Sequence, residues 1–285
     1  MLNVDGRVRA MPSETSGRYF AVSPFPQRLS SPRISATPPM HVLLDLYGVL
    51  LDHEKMFRGY RERLAELLMA RFGGDPDVWR RAHDEAWVTY VQRVNAADWE
   101  SRGYAEVVDD LDARHLVEML DRAGVRAPPT DTLSVSRELE REAMARVNAR
   151  YPDARTAIER LRAAGHKVYV ATGGGETNDA ALRGAGLIDL VDGIFTGHSQ
   201  NAQKGQSRYW REIPTQLATE PGDCVLVDDR LDYLEAAASA GILALLLDRK
   251  GAHRPEAMPA YVQATLRNLA GLPHWVELWT AAHGR

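Results

Sequence analysis

Beyond Tyr151-Pro152 the chain alternates helix-length amphipathic stretches with short apolar runs, and this alternation restricts the fold more than any other feature. A helix is expected over residues 153–164, ending at Gly165, followed by the strand-like run Lys167-Val-Tyr-Val-Ala171. A second helix over 177–185 ends at Gly186, ahead of a short strand at Ile194-Phe-Thr196. Then come a helix over 205–218, the run Cys224-Val-Leu-Val-Asp228, a helix over 230–240 and the run from Ile242 to Leu247. Strands separated by helices pair in parallel with helices on both faces, which predicts a three-layer, doubly wound α/β sheet.

One more strand-like run, His41-Val-Leu-Leu-Asp45-Leu-Tyr47, stands far ahead of the others. Between it and Tyr151 the apolar spacing is helical. Tyr60, Leu64, Leu67 and Leu68 share one face, as do Leu116 and Leu120. Turn signals fall at Gly73-Gly74-Asp75-Pro76 and at Ala127-Pro128-Pro129. An all-helical insert therefore interrupts the α/β unit after its first strand. The expected division is a core of residues 40–56 and 151–285 with a helical cap domain of residues 57–150. Residues 1–39 carry six prolines among many Ser and Arg with little apolar periodicity, so they are expected to be a flexible tail. Met40, directly before the first strand, is a candidate true start.

The 35 basic against 39 acidic residues give a net charge of -4, without the basic surplus that neutralises nucleic-acid phosphates. No apolar run reaches membrane-spanning length, and the N-terminus lacks a signal-peptide core, so neither membrane nor secretion is expected. The single cysteine, Cys224, sits in an apolar run and reads as a small buried hydrophobe. A reducing cytoplasm is the expected compartment, and a small molecule the expected partner; oligomeric state is not legible.

In an open parallel sheet, ligands bind beyond the carboxyl ends of the strands. Asp45 follows the first strand, Thr172 the second, and Asp228 and Asp229 a later one, with Lys204 between. Three carboxylates, a hydroxyl and an ammonium at one edge form a chemical set. The acids can hold a hard divalent cation such as magnesium. The lysine offsets their repulsion, while Thr172 and the amides of Gly173 and Gly174 can donate to phosphate or carboxylate oxygens.

These residues carry a family resemblance. Leu43-Leu-Asp45-Leu-Tyr47-Gly48-Val49-Leu50 resembles the first motif of the haloacid dehalogenase superfamily. Val168-Tyr-Val-Ala-Thr172-Gly173 is similar to the second, Lys204 to the third, and Val225-Leu-Val-Asp228-Asp229 to the fourth, in family order. The resemblance implies a Rossmann-like core with a helical cap that closes over the site. It implies that Asp45 is the covalent nucleophile and that Thr172 and Lys204 are catalytic partners orienting the transferring group. Magnesium would lie on Asp45, Asp228 and the backbone carbonyl of Tyr47, with Asp229 in support. Tyr47, Gly173 and Gly174 would meet the substrate.

Two motifs point in different directions. Phosphatases of the superfamily carry an acid two residues beyond the nucleophile, where this chain has Tyr47. A phenol, with a reference pKa of about 10, is a poor acid near neutrality. Tyrosine there is what 2-haloacid dehalogenases show. Those enzymes are metal-independent and have Ser-Ser-Asn where this chain has Asp228-Asp229-Arg230. The adjacent acids favour a magnesium-dependent phosphatase of a small phosphorylated metabolite. Hydrolytic 2-haloacid dehalogenation and a degenerate, ligand-binding member are the alternatives. His53 and Glu54 are positional candidates for a substitute acid. The aromatics in the insert, Trp79, Trp87, Tyr90, Trp99 and Tyr104, could line a substrate pocket, but most are expected in helical core.

Overall fold

The computed structural model describes residues 39–99, 101–126, 129–254 and 257–284. By compactness the chain divides into residues 1–36 and 37–285, and the structure described here belongs to the second unit. The expected flexible tail, apart from its last residue, and Ala127-Pro128 of the expected turn lie outside the described residues.

Six parallel strands form one sheet in the order β3-β2-β1-β4-β5-β6. They are β1 His41–Leu44, β2 Lys167–Ala171, β3 Gly193–Phe195, β4 Cys224–Asp228, β5 Leu243–Leu247 and β6 Val262–Leu266. Side chains alternate across the sheet as the two-residue strand period requires. Val42, Leu44, Val225, Val227, Leu245 and Leu247 enter one core. Leu43, Cys224, Leu226, Ala244 and Leu246 enter the other. Helices α5 (Ala154–Ala163), α6 (Asn178–Gly184) and α10 (Leu272–Ala282) cover the first face. The second is covered by α8 (Ser207–Gln216), with the fully buried Tyr209 and Trp210, and by α9 (Leu231–Ala238). A four-residue helix, α7 (Gly197–Gln200), follows β3. The fold is thus the three-layer α/β architecture the alternation implies, and Cys224 is fully buried as expected.

Between β1 and β2 stand four helices with a core of their own: α1 (His53–Phe72), α2 (Pro76–Ala96), α3 (Tyr104–Arg122) and α4 (Thr132–Ala145). Leu64 and Leu68 of α1 meet Trp79 of α2, Leu116 and Leu120 of α3, and Leu139 of α4. The turn between α1 and α2 uses Gly73 and Gly74, both at positive φ. Entry and exit of the insert are tied together, since Asp52 donates its amide to the Ala149 carbonyl and Tyr151 to that of Leu50.

Several element bounds differ from the sequence reading. Helix α1 begins at His53, ahead of the cap start expected at residue 57, because the Asp52 carboxylate caps it by accepting the Lys55 amide at 2.9 Å. Helix α8 begins at Ser207 instead of residue 205, so Lys204 lies in the turn ahead of it. Strand β6 and helix α10 went unread. β6 lies at the sheet edge with alternating half-buried and exposed residues, so it lacks the continuous apolar run of its neighbours.

Candidate active site

Because all strands point the same way, their carboxyl ends share one edge, and β2, β1 and β4 are adjacent there. Leu44 pairs with Val170 on one side and Val227 on the other. The residues that follow, Asp45 after β1, Thr172 just beyond β2 and Asp228 at the end of β4, are thereby brought together. The Asp45 amide continues the ladder by donating to the Val227 carbonyl at 3.0 Å.

Lys204 joins the acids. Its Nζ donates to Asp45 Oδ1 and, at 2.5 Å, to Asp228 Oδ2. It is among the most buried residues of the chain, 1% exposed, with Asp228 at 0% and Asp45 at 7%. Its place is fixed through its own carbonyl, which accepts from Trp210 Nε1 at 2.8 Å, and its Nζ lies 5.1 Å from the Tyr233 ring centre. Burial pushes the Asp45 carboxyl up to about 7, although the Lys204 charge opposes it; Asp228 adds to the rise. For Lys204 burial works downward, but the two carboxylates outweigh it and raise its pKa.

Asp229 completes the acidic group. Carboxylate oxygens of Asp45, Asp228 and Asp229 lie within 4.8 Å of one another. Asp229 is exposed where the other two are buried, and its pKa is raised by burial and by Asp228. Its approach depends on Gly48, which has φ +95°; a Cβ there would sit 2.1 Å from Asp229 Oδ2. One ammonium among three carboxylates leaves an excess of negative charge built entirely from hard oxygen donors. That donor chemistry fits a divalent cation of the magnesium type.

A cavity of about 740 Å³ opens over this cluster. Asp45, Tyr47, Thr172, Gly173, Gly174 and Asp229 all line it, whereas Lys204 and Asp228 are buried and do not. Tyr47 is turned away from an acid–base role. Its hydroxyl donates to Asn178 Oδ1 at 3.0 Å, while Asn178 Nδ2 donates to the Gly175 carbonyl at 2.8 Å. Burial, Glu140 and Asp45 all raise its pKa, so the phenol keeps its proton. His53 and Glu54 do line the cavity mouth, both exposed.

Two contributors were missed in the sequence. Asn178 orients Tyr47. Arg249 clamps the loop after β1, donating to the carbonyls of Gly48 and Val49 at 3.3 and 2.8 Å while pairing with Asp153 at 3.0 Å. Arg249 follows β5 by two residues, so the strand-end rule that found Asp45 would have found it. The aromatics also divide differently than expected. Trp79 is core, but Trp87, Tyr90 and Tyr104 line a second cavity between the insert and the core, and Trp99 stacks on Tyr104 at 5.3 Å.

Comparison with known proteins agrees with this architecture. A family model described as haloacid dehalogenase-like hydrolase matches residues 39–241. Phosphatase MT3486 of Mycobacterium tuberculosis is 34% identical over 149 residues, covering 47% of this chain and 69% of that protein. (S)-2-haloacid dehalogenase 4A of Burkholderia cepacia is 25% identical over 242 residues, 83% of this chain and 92% of that protein. The crystal structure of a 2-haloacid dehalogenase from Pseudomonas syringae pv. Tomato DC3000 superposes with a TM-score of 0.62. It shares 19% identity and covers 85% of this chain and 100% of that one, a likeness of fold.

Proposed function

Since the chain belongs to the haloacid dehalogenase-like hydrolases, we propose that it is a magnesium-dependent phosphatase acting on a small phosphorylated metabolite, with Asp45 as nucleophile. The observation that carries this reading is the surplus of carboxylates around Lys204, since three acids within 4.8 Å call for a cation beyond the one ammonium.

Asp45, Asp228 and Asp229, with the backbone carbonyl of Tyr47, would hold the magnesium. The ion supplies charge neutralisation of the phosphoryl oxygens. Asp45 attacks phosphorus in line with the leaving oxygen, forming an acyl phosphate on its carboxylate, and water then hydrolyses that bond. Lys204 opposes the burial that raises the Asp45 carboxyl and balances charge as it develops. The Thr172 hydroxyl and the amides of Gly173 and Gly174 receive phosphoryl oxygens at the same edge. Tyr47, held by Asn178, positions substrate and gives up no proton. The reaction thus favours leaving groups that need little protonation, as acyl phosphates provide. Helices α1–α4 serve as a cap domain, with residues 57–150 closing over the site and excluding water.

Tyr47 also favours a second reading, hydrolytic dehalogenation of a 2-haloacid, because a halide leaves without a proton. The two readings differ in product. With p-nitrophenyl phosphate and 2-chloropropionate offered separately in magnesium, phosphate release without halide release is expected. Halide release alone would replace the phosphatase with the dehalogenase.

A further inference from the structure

A second cavity of about 250 Å³ lies between the insert and the core, lined by α1–α4 on one side and by Tyr47, Gly174, Gly175, Thr177 and Asn178 on the other. It meets the larger one at Tyr47, His53 and Gly174, which line both. A substrate seated over Asp45 would therefore reach into it with the part that leaves. Its volume suits a head group and falls below the roughly 300–1,000 Å³ of pockets that enclose whole ligands.

The walls are aromatic. Tyr47, Phe57, Tyr60, Trp87, Tyr90 and Tyr104 come from the loop after β1 and from three helices of the insert. Trp87 and Tyr90 stack with centroids 5.2 Å apart. Between these rings stand two carboxylates, Asp112 of α3 and Glu140 of α4. Asp112 accepts from the Tyr90 hydroxyl at 3.1 Å, and Glu140 has the Thr177 hydroxyl beside it. The nearby arginines are committed elsewhere: Arg137 to Asp109 and Glu176, Arg141 to Asp179. Neither Asp112 nor Glu140 has a Lys or Arg at ion-pair distance among the described residues.

His115 is the independent sign that something belongs here. Its side chain lines the cavity and is 8% exposed; one ring nitrogen is turned to the Ala86 backbone outside full hydrogen-bond geometry, and the other has no partner. Burial, with His83 beside it, lowers its pKa to about 3, so the ring is neutral and adds no charge. A neutral imidazole can offer a lone pair to an N–H donor.

We propose that this cavity seats an organic ammonium group, carried by the leaving portion of the phosphorylated substrate. Ring faces attract a cation through their quadrupoles, the two carboxylates neutralise it, and His115 accepts from it where the nitrogen bears hydrogen. The word substrate rests on the phosphatase reading; the ammonium site rests on the cavity itself.

Binding separates the two. Calorimetry on the full chain at pH 8 would compare choline and ethanolamine with 3,3-dimethylbutan-1-ol, the neutral isostere of choline. At least one cation is expected to bind about tenfold more tightly than the alcohol, or better. Asp112→Asn and Glu140→Gln should each cut that ratio several-fold, with far-UV circular dichroism showing the fold intact. If neither cation outbinds the alcohol, the inference is overturned, even if p-nitrophenyl phosphate is hydrolysed. Selective cation binding without any phosphate release would instead keep the ammonium site and remove the phosphatase. With both present, phosphocholine or phosphoethanolamine should compete with p-nitrophenyl phosphate more tightly than 3,3-dimethylbutyl phosphate does, by a similar factor.

Discussion

Asp45 and Gly48 show how much of the site is decided by single residues. The Asp45 carboxylate lies between a buried ammonium and two other acids, and the proposed function makes it the nucleophile. Asp45→Asn should lower phosphate release by at least about 10³-fold while leaving the fold intact, as a steady-state assay beside a thermal melt would show. Gly48 works through space and backbone together. Gly48→Ala forces a positive φ on an L side chain, at about 1–2 kcal/mol, and drives its Cβ into the Asp229 carboxylate. The midpoint of thermal unfolding should fall by several degrees, and the magnesium concentration needed for half-maximal activity should rise. Arg249 is a third case. Removing its guanidinium leaves the Asp153 carboxylate and two carbonyls short of a donor, so Arg249→Ala should cost about 2–4 kcal/mol in urea unfolding.

At the scale of elements, the insert is where electrostatics and packing disagree most. Burial pushes the Asp112 carboxyl up to about 7, Glu140 adds to the rise, and the Tyr90 hydroxyl and Arg137 oppose it. The charged and titratable groups around it are Tyr60 of α1, Tyr90 of α2, Asp109 of its own helix, and Arg137 and Glu140 of α4. In the unfolded chain an aspartate ionises near 4, so between there and about pH 7 the folded state holds the extra proton. Stability from this group is complete below pH 4 and is lost as pH rises through 7. Asp112→Asn should therefore raise the unfolding midpoint at pH 8 and change it little at pH 4, a difference that melts at the two pH values would measure. The sequence showed the insert as helical through Leu64, Leu68, Leu116 and Leu120, because core positions repeat with the helix. It could not show that Trp87, Tyr90 and Tyr104 face a cavity. Aromatic residues at helical spacing look the same in either place, and the difference lies in which helix faces which. The edge strand β6 was hidden for a related reason, since half-buried residues at an edge lose the apolar run that marks β1, β4 and β5.

For the whole molecule, parallel topology explains why the site was so legible. Once β1, β2 and β4 are adjacent, residues far apart in sequence must meet at their carboxyl ends, and Asp45, Thr172 and Asp228 do. Lys204 was harder to place. It belongs to a turn, and only Trp210 and the acids fix its position. Under the proposed function the same topology divides the labour, with chemistry at the sheet edge and choice of substrate in the insert. The most direct measurement is phosphate release from acetyl phosphate and p-nitrophenyl phosphate by the full chain, with magnesium and again with EDTA. Turnover with magnesium that disappears in EDTA and returns when the ion is restored is the expected result. Turnover unaffected by EDTA, or phosphate release absent while 2-chloropropionate yields halide without metal, would contradict it.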